Sequence, residues 1–252
     1  MMDSFWWDFS SYGQFSKQVT ALVEALEKRV LPAFESIAQE AEEEANRAWE
    51  EFMSLPGDGD EEPGDFAEDA AEAGQSYYSL LMGIKQGLLN LFAAALFHLV
   101  EQQIVMFLRL ELMSHQEAVQ PKLFKKGIDE FKKRLAQRGV NVEGISSWAK
   151  VEELELLANT VKHAEGDSAQ KLSTKRPDHF VHPALPKPLF NLGVSSRPPF
   201  LPLAGENLYV SLEAIKEYRD AIVAFWEELR STQQPRGWKS VRTGFGVLKK
   251  AR

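Results

Sequence analysis

Cysteine is missing from all 252 residues. Its absence removes disulfides, thiolate metal ligands and thiol nucleophiles together, and it fits a reducing, cytoplasmic setting. The common catalytic signatures are missing as well. The chain has no P-loop, no GxGxxG, no GxSxG, no HExxH and no Glu-x-x-His pair repeated on two helices. The opening MMDSFWWDFSSYG lacks the basic start and long apolar centre of a secretory leader. In GLLNLFAAALFHLVEQQIVMFL, residues 87–108, the uninterrupted apolar run is only Leu91–Phe97. That is far short of the roughly 20 residues a bilayer span requires. The segment reads as the central helix of a soluble bundle, with no membrane contact.

Basic residues are scarce in one place above all. Residues 35–76 hold fifteen acidic side chains and a single basic one, Arg47. The tail after Glu228 is the reverse, with seven Lys or Arg and no acid. The net charge of −8 is therefore strongly polarised. The acidic stretch repels phosphate and opposes nonspecific nucleic-acid binding by the whole molecule, while leaving room for a local basic site.

What is abundant is helical periodicity. Val19, Leu22, Val23, Leu26, Val30, Phe34 and Ile37 recur at three and four, with Pro32 set to kink or divide the stripe. Residues 1–54 form an N-terminal helical segment. Residues 55–75, opening on LPGDGDEEPGD, read as an acidic flexible loop, because Gly, Pro and Asp leave little to bury. A second long helix begins near Asp65 or Ser76 and runs to Ser114, its start blurred by Gly74, Gly83 and Gly87. Residues 122–138 repeat Leu123, Phe124, Ile128, Phe131 and Leu135 before the stop at Gly139. Ser147 caps a helix over Trp148–His163 that Gly166 ends.

Residues 173–207 carry seven prolines, which exclude a long helix, and enough apolar residues to form an ordered wrap over the bundle. Ser211 then starts a final helix striped by Ile215, Tyr218, Ile222, Phe225, Trp226 and Leu229. Residues 231–252 are a basic tail. The fold class is all-α: a mostly up-and-down bundle over 76–230 with a Pro-rich insertion before its last helix.

Three histidine positions attract chemistry. His98 and Glu101 sit one turn apart on the most apolar helix and suit a hydrogen-bonded core pair better than a metal. His179 and His182 lack further ligands, so no metal and no cofactor is expected. Asn159 and His163 lie four apart on one helical face, with Lys162 beside them. At a helix end such an imidazole can grip a phosphate or take a proton from a ribose hydroxyl. The alternative is that the pair satisfies local backbone carbonyls and ties down the helix end.

The hexad ANTVKH, Ala158–His163, resembles a motif of the HEPN superfamily of helical bundles. There an arginine and a polar residue precede the histidine near the end of a helix. Asn159 and His163 match the polar and histidine positions, and Ala158 stands where the arginine would be. The resemblance implies metal-independent RNA cleavage through the ribose 2′-hydroxyl, a homodimer, and a role in bacterial toxin–antitoxin or anti-phage defence. A substitute cation would then come from Lys162, Arg176 or the partner subunit. The competing reading is a catalytically inactive helical module that binds a protein partner. The first expects cyclic-phosphate RNA products, and the second expects a stable complex without turnover.

Overall fold

Pro32 has no N–H to donate, and the chain breaks where that donor is missing. In the computed structural model, α1 (Ser10–Ala25) loosens into a π-turn over Leu26–Val30 and a 3-10 turn over Leu31–Phe34. Helix α2 (Ile37–Ser54) follows. The structure describes residues 10–54, 63–114, 117, 127–183 and 207–232. Among these the chain is all-α and contains no strand. The remaining helices are α3 (Pro63–Phe107), α4 (Gly127–Gln137), α5 (Trp148–His163), α6 (Asp167–Lys175) and α7 (Leu212–Ser231).

Helix α3 starts earlier than a loop over 55–75 would allow, because residues 63–75 are helical. Proline at the first helical position forfeits only an N–H that has no partner there. Gly74 does not interrupt the helix, because packing needs it. A Cβ at Gly74 would come within 2.8 Å of the Ala41 carbonyl oxygen and 2.9 Å of the Ala45 Cβ. The acidic helix α2 thus lies against the first half of α3 through small residues, with Phe52 stacked on Phe66. Residues 55–62, the centre of the expected loop, lie outside the described residues.

The second half of α3 is the axis of the bundle. Around it α1, α4, α5 and α7 enclose an aromatic core. Trp226 of α7 packs on Phe15 of α1 at 4.9 Å and on Phe107 of α3 at 5.9 Å. Phe131 of α4, Trp148 of α5 and Phe225 continue the cluster. Buried Gln103 joins three helices in its midst. Its amide donates to the Phe15 carbonyl at 3.1 Å, and its oxygen accepts the Trp226 indole N–H at 2.9 Å.

Helix α6 occupies part of the stretch expected to be a Pro-rich wrap, as far as Lys175, and Pro177 opens a 3-10 turn ending at Phe180. Residues 184–206, the bulk of that wrap, and the tail from 233 lie outside the described residues. Where the chain is described again it is pinned by side chains. Asn90 donates to the Leu208 carbonyl at 2.8 Å, Gln86 donates to the Val210 carbonyl at 3.1 Å, and the Tyr209 N–H donates to the His179 carbonyl at 2.7 Å. Ser211 accepts from the Ala214 N–H and starts α7.

Candidate functional site

The hexad closes α5 at the surface. Ala158 is fully buried in the core, Asn159 is half-buried, and Lys162 and His163 are exposed. Ala164 terminates the helix with φ 52°, and its N–H reaches the Thr160 carbonyl at 2.8 Å. The backbone ties this end, and the Asn159 and His163 side chains hydrogen-bond to nothing among the described residues. The position of the family's arginine faces apolar packing, where a guanidinium would lose its hydration.

Arg176 is not brought to the hexad. Its Nη1 lies 2.9 Å from Glu153, ten residues before His163 and so about 15 Å down the axis of α5. Lys162 is beside His163 and makes no ion pair among the described residues. The surface leading up to the hexad carries mixed charge, with Lys132 paired to Glu152. Burial raises the Glu155 carboxyl above its ordinary pKa; Lys132 of α4 opposes this, while Glu101 of α3, Glu152 and Asp129 of α4 add to it. His98, expected in the core, is instead exposed on α3, its Nε2 3.0 Å from Gln102 and its Nδ1 3.5 Å from Glu101. The lone aromatic ring at this position points outward because α3 turns only part of its surface to the bundle.

The dense polar constellation lies elsewhere, under the Pro177 turn. Glu153 accepts from Lys150 at 2.7 Å, from Arg176 at 2.9 Å and from the Tyr218 hydroxyl at 2.9 Å. The Tyr218 oxygen lies 3.2 Å from His179 Nε2, while Arg176 also grips Asp178. Burial pushes the Tyr218 hydroxyl up, aided by the Glu153 charge. Burial would raise Glu153, but its bonds to Lys150, Arg176 and Tyr218 outweigh that and hold it below the ordinary carboxylate range. Burial, with the Arg176 charge, pushes His179 down to about 4.

This network sets a pH limit on stability. In the folded protein His179 stays neutral until pH nears 4, whereas the unfolded imidazole protonates near 6.5. A lowered histidine pKa contributes stability that is complete above about pH 6.5 and is lost as pH falls toward 4, about 3 kcal/mol in all. Urea midpoints at pH 8, 6 and 4.5 should fall in that order. His179→Asn should flatten the fall between pH 6.5 and about 5, before carboxylates add most of their own loss.

A cavity of about 820 Å³ borders this network, walled by Leu31, Leu89, Val210 and Leu212, with Lys85 and His179 at its edge. Its inner polar groups already have partners: Gln86 bonds Asn90 and Val210, Asp178 bonds Arg176, and His179 meets Tyr218. Among the described residues no cluster of three or more His, Asp or Glu could hold a metal ion. His179 and His182 are divided between core and surface.

A second feature is an exposed apolar stripe on α3. Leu80 and Leu91 are 59% exposed, Met106 50% and Ile84 46%. Helix α3 is also long and apolar enough to cross a membrane by length and composition, but 56% of its most apolar window is buried inside the protein. No protein-family model matches the chain, and no curated protein or solved structure matches it either.

Of the residues singled out from sequence, Asn159, Lys162 and His163 share a helix end, and Arg176 belongs to the Glu153 network. Sequence reading missed Glu153, Tyr218 and the stripe. Leu80, Ile84 and Leu91 recur at helical spacing away from Ala93, Leu96 and Val100, and that signal could have exposed the stripe.

Proposed function

We propose that the protein is a helical assembly module that binds another protein through the outer face of α3, with no turnover of RNA. The observation that carries this reading is the stripe itself. Large apolar side chains stand out along a helix whose second half packs its opposite face into the core. Contiguous exposed apolar surface of this kind marks association. The hexad supports the same conclusion from the other side. Metal-free RNA cleavage needs a cation to stabilise charge on the phosphorane. Ala158 is sealed in the core, and Arg176 is held by three carboxylates.

The deciding experiment incubates the purified full chain with structured and single-stranded RNA and inspects the ends of any products. No cleavage is expected, with no difference between wild type and His163→Ala. Products with 2′,3′-cyclic phosphate ends that vanish in His163→Ala would overturn the reading and establish the nuclease.

A further inference from the structure

We infer that the cavity beside the Pro177 turn binds an aliphatic carboxylate, with its chain against the apolar wall and its head on Lys85. The site is separate from the outer face of α3 and does not depend on it. At about 820 Å³ the cavity falls within the range of roughly 300–1,000 Å³ that small-molecule sites occupy. Three stretches of chain build most of its wall. Lys85 and Leu89 come from one side of α3, and the others are parts of 178–183 and 209–212.

These stretches are bonded to one another, so the cavity is formed before a ligand arrives. The Tyr209 N–H donates to the His179 carbonyl at 2.7 Å and joins the second stretch to the third. The Gln86 amide donates to the Val210 carbonyl at 3.1 Å, and the Val210 N–H donates to the Asn90 side-chain oxygen at 3.3 Å. Those two bonds join the third stretch to α3. A preformed wall spares the ligand the cost of ordering it.

The class of ligand follows from what the wall has left unsatisfied. Asp178 is neutralised by Arg176, whose Nε and Nη2 lie 3.0 and 2.8 Å from its two oxygens. His179 meets Tyr218, Gln86 is spent on Asn90 and Val210, and the Ser211 hydroxyl accepts the Ala214 N–H. Lys85 differs from all of these. It is half-buried, it is the one Lys or Arg in the wall, and it makes no hydrogen bond or ion pair among the described residues. Leu89 lies one turn along the same side of α3, so the ammonium stands beside the apolar surface. A cationic ligand finds no unpaired carboxylate here, whereas an anionic one finds an unpaired cation. The apolar wall is mostly aliphatic, from Leu31, Leu89, Val181, Val210 and Leu212. The Tyr209 ring is already engaged edge-to-face with His182 at 4.9 Å, so the wall favours a hydrocarbon chain over a flat ring. Such a chain gains from apolar contact and from displacing loosely held water.

The test titrates the full chain calorimetrically with decanoate and with decanol, each kept below the concentration at which it self-associates. Decanoate should fill one saturable site per chain. Lys85→Met keeps the stem and removes the charge. It should weaken decanoate about 10-fold or more while leaving decanol unchanged, with helical content the same as in wild type. Lys85→Arg should retain the decanoate site. Val181→Trp, at a rim position that is 40% exposed, should fill the space and weaken both ligands. Equal affinity of wild type and Lys85→Met for decanoate would overturn recognition of the charged head. Binding that is lost in Leu91→Glu and kept in Val181→Trp would move the ligand to the outer face of α3 and overturn the cavity. No saturable binding by the full chain would overturn the ligand outright.

Discussion

Arg176→Ala is expected to destabilise the fold by about 3 kcal/mol, the cost of taking one of two cationic partners from a largely buried carboxylate. The guanidinium is the hinge pin of the polar network. Its Nη1 lies 2.9 Å from Glu153 and 3.3 Å from Glu217, its Nη2 lies 2.8 Å from Asp178, and its Cζ lies 5.9 Å from the Tyr218 ring centre. Arg176 and Glu153 are only 15% and 13% exposed, so water replaces little of what is lost. Glu153 would retain Lys150 and Tyr218, which is why the cost is not larger. Urea denaturation should show a lower midpoint with an unchanged slope. Glu153→Gln in the Arg176→Ala background should recover part of the loss, because the incompletely paired charge is then gone. A cost below about 1 kcal/mol would show that the network behaves as a solvated surface pair.

Trp226→Ala should cost somewhat more, about 4 kcal/mol, for a different reason. The indole is 1% exposed and touches Phe15, Phe107 and Phe225, so its loss opens a cavity where α1, α3 and α7 meet. It also strands the Gln103 oxygen, which has accepted the indole N–H. A buried acceptor without a donor adds its own desolvation penalty. Trp226→Phe fills most of the cavity yet still strands Gln103, and it should cost clearly less than Trp226→Ala. Equal losses for the two variants would assign the effect to the hydrogen bond.

Much of the fold is legible in the residues. The stripe of α7 and its Ser211 cap, the break at Pro32, and the limits of α5 follow from spacing and punctuation, which act within a turn or two of chain. Ser147 precedes α5, but its hydroxyl is buried and caps nothing, since the backbone there is already helical. The start of α3 was obscured because a glycine's value at Gly74 depends on Ala41 and Ala45, thirty residues away. The polar network was obscured for the same reason. Glu153, Arg176 and Tyr218 are unremarkable singly, and only the Pro177 turn and α7 bring them together. The hexad lay open to local reading, whereas the burial of Ala158 is a property of packed neighbours.

Helix α3 runs 45 residues without a break, from its contact with α2 into the centre of the aromatic core. A rod of that length, about 67 Å, works as a lever. A tilt of 5° at its core end would carry the α2 end through about 6 Å, and the reverse gearing is equally stiff. Whatever grasps the acidic helix α2 is therefore mechanically joined to the aromatic core, and load applied at one reaches the other through a single unjointed strut.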